Sequence, residues 1–339
     1  MKLIDTKDAE GHILCHDLTQ IIPNEYKGAR FRKGHIIRRE DIPVLLSMGK
    51  EHLFVWEMRE GILHENEAAE RLCSILMGDH MIRTEAREGK IELFADAEGV
   101  FLVDSERLLA VNSIEEITVA TRKGNFLVRK GDKLCGMRVV PLAIEEEKLK
   151  EAETAAGKAP ILSLIPLRLH TAAVITTGSE VFKGLIEDRF TPILTEKLKA
   201  YGIDVIFHAV TDDGKEHIED KIREAKAAEA DIILCTGGMS VDPDDQTPGA
   251  IRACAKETVT YGAPAFPGAM IMLAYLEDGT PVLGLPGCVM YAKATVFDLI
   301  MPRIAAGIRL TKKDFNVLGE GGLCLGCSAC TYPHCPFGR

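Results

Sequence analysis

Residues 168–312 are predicted to form an α/β domain of three layers, with a mostly parallel sheet between two layers of helices. Short apolar runs alternate there with amphipathic stretches, as expected for β-α-β units. Polar or glycine-rich junctions follow several of the apolar runs, and parallel sheets bind ligands where their strands end. The predicted elements are, in order, strand 171–177, helix 190–201, strand 204–210, helix 217–230, strand 231–236, a helix from Thr247, strand 281–285 and a helix over 290–306.

Local signals place the ends of these elements. Gly202 is expected to end the first helix, because glycine readily adopts the left-handed conformation that terminates helices. Ile218, Ile222 and Ala225 recur at helical spacing and give the second helix one apolar face. Thr247-Pro248 is expected to begin the third helix, with threonine as its cap and proline at its first position.

The rest of the chain is predicted to be an α+β region that contains a small β module, and a tail. Apolar residues at helical spacing predict a helix over 65–77, which short strands separated by turns follow. A stretch rich in glutamate, lysine and alanine comes next. The predicted segments are residues 1–62 (α+β), 63–144 (helix and β module), 145–167 (exposed helix or linker), 168–312 (α/β domain) and 313–339 (cysteine-rich tail).

Composition and charge exclude several classes of partner. The 339 residues carry a net charge of -10, so neither nucleic acid nor an anionic membrane surface is expected to bind. The first residues are charged and lack the apolar core of a signal peptide, and no apolar run has the length of a membrane span. We therefore expect a cytoplasmic protein, whose 10 cysteines are thiols or metal ligands rather than disulfides.

The junction Thr236-Gly237-Gly238-Met239-Ser240 follows an apolar strand and is suited to binding an anion. Two glycines let backbone N–H groups approach an anion closely, although a tight strand-to-helix turn would need the same residues. Asp242, Asp244 and Asp245 come next, and three carboxylates would repel a phosphate group unless a divalent cation lay between them. Mg²⁺ commonly joins carboxylate and phosphate oxygens, so the sequence predicts a Mg²⁺-assisted site.

Two further strand ends carry residues suited to the same site. Thr176-Thr177-Gly178-Ser179-Glu180 offers hydroxyl groups and backbone donors, although such residues are also common in turns. One carboxylate of Asp212-Asp213 is expected to cap the next helix, and the other to project over the edge that holds Asp245. Asp212 and Asp245 are therefore predicted to bind Mg²⁺ or to act in acid–base chemistry, with Glu180 as a third carboxylate.

Four cysteines within the last sixteen residues are predicted to bind a metal. Gaps of two, two and four residues separate them, which is metal-ligand spacing. The run resembles the ferredoxin motif for iron–sulfur clusters, with one extra residue before the last cysteine. Four thiolates, or three thiolates with His334, would also suit a zinc ion. We favour an iron–sulfur cluster. A tail of free thiols without metal is the alternative. The four are Cys324, Cys327, Cys330 and Cys335.

Four motifs of the α/β domain match a known family in order and spacing. They are Thr176-Thr177-Gly178-Ser179-Glu180, similar to a T-G-x-E motif; Asp212, similar to an acidic residue after the second strand; Thr236-Gly237-Gly238 with Asp245 and Thr247-Pro248, similar to a G-G…D-x-T-P signature; and Leu285-Pro286-Gly287, similar to an L-P-G loop. On these motifs, residues 171–307 resemble the molybdopterin-binding domain of the MoeA/MogA family.

The resemblance implies a site for molybdopterin, a phosphorylated pyranopterin, or its adenylylated form. It implies contacts from Thr177-Gly178-Ser179, Gly237-Gly238-Met239-Ser240 and Pro286-Gly287. Asp8-Ala9-Glu10-Gly11 and Phe31-Arg32-Lys33-Gly34 resemble MoeA itself. That likeness implies an enzyme that exchanges AMP on the pterin for molybdate or tungstate with the help of Mg²⁺. It further implies a homodimer, with other cofactor-biosynthesis proteins or molybdoenzymes as partners.

Two other activities fit parts of the same sequence. The family's lysine-flanked P-G loop reads Ala265-Phe266-Pro267-Gly268-Ala269 here, and its L-P-G-N-P continues as Cys288-Val289, which favours pterin binding over metal insertion. Pro243-Asp244-Asp245-Gln246-Thr247 resembles a motif of the nucleotide-hydrolysing CinA proteins, which suggests a pyrophosphatase. A non-catalytic carrier or sensor of the cofactor is the remaining alternative.

Overall fold

The structure is a computed structural model that describes residues 2–22, 26–55, 61–240, 242–243 and 245–339. Contacts within the chain divide it into two compact units. No helix among the described residues has both the length and the apolar character needed to cross a membrane. The first unit comprises residues 1–97, 102–122 and 129–164, and the second comprises residues 98–101, 123–128 and 165–339.

The N-terminal 166 residues contain short strands and four helices among the residues described. A short 3-10 helix, Thr6–Asp8, follows the first strand. The elements are β1 (Lys2–Asp5), β2 (Leu18–Ile22), β3 (Tyr26–Phe31), α1 (Asp41–Ser47), β4 (His52–Val55), β5 (Ile62–His64), α2 (Glu65–Leu76), β6 (Met81–Arg83), β7 (Lys90–Ala95), β8 (Gly99–Val103), α3 (Ser105–Asn112), β9 (Ile117–Thr121), β10 (Phe126–Val128), β11 (Lys133–Val139), β12 (Ala143–Glu145), α4 (Glu146–Ala156) and β13 (Leu162–Pro166).

The first unit is built on an antiparallel sheet with the strand order β6-β7-β11-β9. Helix α2 packs against β7 and β11. Its apolar positions Ala68, Ala69, Leu72 and Leu76 are fully buried, as the helical spacing predicts. The strand pairs β1–β4, β2–β3 and β5–β12 are also antiparallel. The predicted helix and small β module are therefore present, with α2 covering the sheet.

Two stretches of the first unit differ from the sequence interpretation. Helix α3 was not predicted, because its eight residues lie between strand signals; Asp104 caps it by accepting a hydrogen bond from the Arg107 N–H at 3.1 Å. Residues 145–167, predicted to be an exposed helix or linker, contain helix α4 and strand β13, and α4 is not wholly exposed. Leu149, Ala152 and Ala156 of α4 are fully buried, and α4 packs on α2 and α3. Charge dominates the composition of α4 and concealed this narrow apolar face.

Strands and helices alternate through most of the second unit after residue 170. Two short 3-10 helices, Gly287–Met290 and Val317–Gly319, lie among them. The elements are β14 (Thr171–Thr177), α5 (Ser179–Phe182), α6 (Phe190–Lys199), β15 (Asp204–Thr211), α7 (Lys215–Ala227), β16 (Ile232–Thr236), α8 (Thr247–Cys254), β17 (Glu257–Tyr261), β18 (Met272–Tyr275), β19 (Pro281–Leu285), α9 (Val296–Ala305) and α10 (Lys312–Asn316).

The described residues of the second unit form a six-stranded sheet with the order β15-β14-β16-β19-β18-β17. The first four strands are parallel to one another. Strand β18 is antiparallel to β19, and β17 is antiparallel to β18. Alternate residues of β14 enter different cores: Ala172 and Val174 pack with α6 and α9, while Ala173 and Ile175 pack with α7 and α8. The predicted three-layer α/β fold with a mostly parallel sheet is therefore confirmed.

The cysteine-rich tail packs on the second unit through apolar side chains. Phe337 is fully buried beside Leu299 of α9, and the Tyr332 hydroxyl donates a hydrogen bond to the Asp298 carbonyl at 2.9 Å. The Phe126 ring of β10 lies 6.5 Å from the Tyr332 ring. These contacts give the tail an apolar source of order.

Candidate functional site

Four neighbouring parallel strands end along one edge of the six-stranded sheet. In the order β15-β14-β16-β19, the segments that follow them start at Asp212, Gly178, Gly237 and Pro286. Each pair of adjacent strands is in parallel register up to its last residues. The structure thus brings together the strand ends whose residues the sequence singled out, and this edge is the candidate binding site.

The last two residues of β14 face opposite layers of helices. The Thr176 hydroxyl donates a hydrogen bond to the Asp188 carboxylate at 3.0 Å, and the Thr177 hydroxyl is 3.1 Å from that of Thr247. Thr176, Thr177 and Thr247 are all buried. Both predicted threonines therefore lie beneath the candidate site, with their hydroxyl groups already engaged within the protein.

Close packing explains the two glycines that follow β16. Gly237 and Gly238 have φ angles of 84° and 53°, in the left-handed region that glycine adopts easily. A Cβ atom on Gly237 would lie 2.2 Å from the Thr177 carbonyl oxygen, and one on Gly238 would lie 2.8 Å from the Thr247 hydroxyl. The glycine pair therefore lets the loop lie directly against β14 and the start of α8.

The same loop contains backbone donors that are unpaired within the part of the chain that the structure describes. Among the described residues, none accepts a hydrogen bond from the backbone N–H of Gly238, Met239 or Ser240. Ser240 is exposed, whereas the Met239 side chain is buried in the core between the sheet and helices α7 and α8. The Met239 backbone is thus available to a ligand, while its side chain belongs to the core.

Tyr261 of β17 makes a hydrogen bond to the loop 237–240. Its hydroxyl donates a hydrogen bond to the Met239 carbonyl oxygen at 2.9 Å. The Arg252 guanidinium lies 5.2 Å from the Tyr261 ring centroid. Sequence reasoning missed Tyr261 because β17 and its antiparallel neighbour β18 lie outside the predicted β-α-β pattern.

The two carboxylates after β15 have different partners. Asp212 accepts hydrogen bonds from the Gly214 N–H at 2.9 Å and from His217 Nδ1 at 2.7 Å, just before and within the first turn of α7. The hydrogen bond from His217 holds the pKa of the Asp212 carboxyl below its usual value, and it raises the pKa of His217. Asp213 instead accepts the backbone N–H of Ser179 at 2.8 Å. Within the described part of the chain, neither carboxylate accepts a hydrogen bond from the backbone N–H groups of the first turn of α7, so the expected helix cap is not formed; Asp213 instead stabilises the turn after β14.

Asp245 is half-buried beside the start of α8, and Asp244 lies outside the described residues. The Asp245 carboxylate accepts the Asp242 N–H at 3.3 Å, and the Asp245 N–H donates to the Asp242 carbonyl at 3.0 Å. In the parts of the chain that the structure describes, no three histidine, cysteine or acidic groups lie close enough to hold a metal ion. A Mg²⁺ ion shared by Asp212 and Asp245 stays a prediction.

The remaining predicted residues lie at the rim of the edge. Glu180 and Gly287 are exposed, and Pro286 is buried at the end of β19. Burial raises the pKa of the neighbouring Cys288 thiol. The predicted cap of α8 was wrong, because Gln246 precedes the helix and the Thr247 side chain points to Thr177.

Asp188 is the main site residue that sequence reasoning missed. Besides Thr176, its carboxylate accepts hydrogen bonds from the Thr191 hydroxyl at 2.6 Å and from His208 Nε2 at 3.0 Å. Burial raises the pKa of Asp188, but the bonds from Thr191, Thr176 and the Phe190 N–H outweigh it and hold that pKa below its usual value. An aspartate just before a helix is a capping signal, which could have identified it.

The four tail cysteines line one cavity of about 390 Å³ in the second unit. Cys327 and Cys330 are exposed, and Cys324 and Cys335 are half-buried. Lys293 also lines this cavity, whereas His334 does not line it. The cavity thus brings together the cysteines whose spacing the sequence singled out.

The second unit is an α/β domain whose parallel strands end at an edge with unpaired backbone donors among the described residues, the place where such sheets commonly bind ligands. Residues 173–306 match a family model described as a probable molybdopterin binding domain. The four motifs singled out in the sequence all lie within these matched residues. Residues 3–57 match a second model, described as a domain of unknown function.

Known proteins resemble parts of the chain. A "Putative competence-damage inducible protein" of Bacillus cytotoxicus is 34% identical over 94 residues, which are 28% of this chain and 23% of that protein. A CinA-like protein of Desulfosudis oleivorans is 36% identical over 94 residues, 28% of this chain and 22% of that protein. This chain therefore spans less than a quarter of the length of these relatives.

Solved structures also resemble the chain over part of its length. The molybdopterin biosynthesis enzyme MoaB of Thermus thermophilus is 22% identical, with a TM-score of 0.36, over 41% of this chain and 98% of that one. Membership of the chain as a whole in the MoeA type is not shown by these likenesses.

Proposed function

We propose that the carboxyl edge of the parallel sheet binds the phosphorylated pyranopterin of the molybdenum cofactor. One observation carries the proposal: the loop 237–240 presents backbone N–H groups that no described residue accepts, directly beside the ends of β14 and β19. Such donors suit phosphate oxygens, and the glycine pair keeps side chains out of the way. The match of residues 173–306 to the molybdopterin-binding family supports the same ligand.

The residues present fit such a ligand in their donor chemistry. The N–H groups of Gly238, Met239 and Ser240 would hold phosphate oxygens, with the exposed Ser240 hydroxyl as a further donor. Gly178 and Gly287 leave open space beside the loop, since a Cβ atom on either would meet no heavy atom closer than 3.9 Å. The bound cofactor would supply the dithiolene that carries the metal, while the protein supplies position.

Mg²⁺ would join the acidic side of the edge to the phosphate. Two protein carboxylates with ligand oxygens and water suffice for Mg²⁺, which usually keeps several waters. Asp245 is the better placed protein ligand, because Asp212 already accepts two hydrogen bonds. In this proposal the Asp245 carboxylate binds the Mg²⁺ ion directly. Asp212, held by Gly214 and His217 beside the start of α7, is the second carboxylate of the site.

We further propose that the protein is an enzyme of molybdenum cofactor biosynthesis that inserts molybdate or tungstate as its substrate. Asp245→Asn keeps the shape of the side chain and removes its charge, so turnover should fall by roughly 10²-fold or more, as for other groups that stabilise transition-state charge. Asp220→Asn, an exposed change on α7, is the control. Turnover of Asp245→Asn equal to that of the control would rule out the metal role.

Titration calorimetry with molybdopterin, and separately with AMP, tests the binding proposal. Binding of molybdopterin to the folded full chain is expected, and it should weaken in Ser240→Ala. Absence of any heat from folded protein would refute the proposal. Complementation of a bacterium deficient in molybdenum insertion then separates an inserting enzyme from a cofactor carrier or sensor, which would bind without restoring activity.

A nucleotide pyrophosphatase is the second candidate, and the identity to a CinA-like protein over 94 residues favours it. The same loop would then hold a nucleotide diphosphate, and Asp245 a catalytic Mg²⁺. Hydrolysis of ADP-ribose by the full chain, lost in Asp245→Asn, would support this activity. Pterin binding without such hydrolysis would favour the first proposal.

The proposed enzyme would act as a homodimer in contact with other cofactor-biosynthesis proteins or molybdoenzymes. The resemblance to MoeA supports this assembly. Light scattering at micromolar concentration measures it directly, and a monomer would contradict it.

A further inference from the structure

Four cysteines of the tail share one cavity, and the proposed pterin site uses none of them. Cys324, Cys327, Cys330 and Cys335 line a space of about 390 Å³, with Lys293 also on its wall. Thiolate ligands favour zinc and iron–sulfur clusters. Two independent observations thus agree: the four cysteines have the sequence spacing of metal ligands, and in the structure all four line one cavity.

The two outer members of this set are held differently from the other two. The Cys324 N–H donates to the Phe266 carbonyl at 2.8 Å, and Cys335 packs in the apolar cluster around Phe337. Cys327 and Cys330 are exposed on the irregular segment 325–330. Among the described residues, no backbone hydrogen bond is donated from this segment. The first and last cysteines are therefore anchored, and the middle two can approach them at little cost.

We propose that Cys324, Cys327, Cys330 and Cys335 together bind one metal centre, either an iron–sulfur cluster or a zinc ion. The described residues hold no preformed group of three ligands, so metal binding must draw segment 325–330 inwards. Lys293 also lines the cavity, and its positive charge would offset part of the charge of four thiolates. Cys335 is the fourth ligand and His334 is not, because only Cys335 lines the cavity.

Metal analysis of the full chain tests the proposal. Protein purified without oxygen, from cells supplied with iron and zinc, should contain either about four irons with equal sulfide, or one zinc, per chain, following the usual composition of these sites. Visible absorption of a brown protein indicates the cluster, and colourless protein with zinc indicates the ion. Either result supports the proposal, and folded protein with no metal would overturn it.

Single variants assign the ligands. Cys327→Ser and Cys330→Ser alter exposed side chains, so circular dichroism should show folded protein, and the metal content should fall at least fivefold. Cys254→Ser is the matched control, because Cys254 is half-buried on α8 and does not line the cavity. His334→Ala should retain the metal. Unchanged metal content in both loop variants, or loss of metal only in His334→Ala, would overturn the four-cysteine assignment.

Discussion

At the scale of single residues, the candidate site depends on close approach between backbone segments. Gly237 lies against the carbonyl of Thr177, the last residue of β14, at a distance that leaves no room for a side chain. Asp188 gathers donors from α6, β14 and β15 onto one carboxylate. Neither residue needs to touch a ligand, yet both fix the strand ends that form the edge.

Gly237→Ala should destabilise the second unit and weaken any ligand at the edge. The added Cβ atom would lie 2.2 Å from the Thr177 oxygen, and overpacking of this kind costs about 1–3 kcal/mol. Gly279→Ala is the control, because Gly279 has a similar φ of 90° but a Cβ there would meet nothing within 4 Å. Urea unfolding measures both; equal loss of stability in the two variants would refute the steric explanation.

Asp188→Asn should lower the unfolding free energy at neutral pH, by about 1.5–3 kcal/mol for hydrogen bonds to a charged group. The folded state holds the pKa of Asp188 below that of the unfolded chain, so the unfolded chain takes up the proton first. The stabilisation is therefore complete above about pH 5 and is lost as the pH falls through the pKa values of the unfolded and then the folded state.

Urea unfolding at several pH values checks this prediction. The difference in unfolding free energy between wild type and Asp188→Asn should narrow as the pH falls from about 5 to about 3. Asp220→Asn, which changes an exposed carboxylate, should show little gap at any pH. A gap that stays constant for Asp188→Asn would show that its carboxylate charge does not contribute.

At the scale of elements, the sequence predicted regular β-α-β units well and irregular additions poorly. The predicted strands over 171–177 and 281–285 coincide with β14 and β19, because buried apolar runs with glycine or proline beyond them have few alternatives. Helix α3 and strands β17 and β18 were missed, since α3 lies between strand signals and the two strands lie outside the β-α-β pattern. For the tail, cysteine spacing was visible in the sequence, but its apolar anchor was not, because Phe337 packs against Leu299, which is distant in sequence.

Phe337→Ala tests what orders the tail. Phe337 is fully buried with Leu299 and Tyr332, so its truncation should cost about 3–5 kcal/mol in metal-free protein. Leu325→Ala, at an exposed position of the same tail, should have little effect. Thermal unfolding after chelation measures both, and an unchanged melting temperature for Phe337→Ala would mean that the apolar cluster does not hold the tail.

At the scale of the whole molecule, the second unit is not continuous in sequence. It takes residues 98–101 and 123–128 from within the N-terminal part of the chain. Strand β10 packs on α9, and the Arg339 guanidinium lies 5.0 Å from the Phe126 ring centroid. The sequence placed one boundary near residue 168 because composition changes there, and no local signal shows that a distant strand completes the domain.

A fragment of residues 165–339 should therefore be less stable than the second unit of the full chain. Loss of the Phe126 contacts exposes Tyr332 and Arg339, and each kcal/mol lost should lower the melting temperature by about 2–4 °C for a domain of this size. Phe126→Ala in the full chain should reproduce part of the decrease. Equal melting temperatures for the fragment and the intact chain would contradict this dependence.

The opposed side chains of Thr176 and Thr177 also make this edge observable in solution. These neighbours in sequence bond to different helical layers, one through Asp188 and the other through Thr247. In protein labelled with ¹³C at its threonine methyl groups, their two NMR signals would report separately on the α6 layer and the α8 layer. A ligand that moves only the loop 237–240 should shift the Thr177 signal and leave that of Thr176 in place, so two adjacent probes would locate the response to binding.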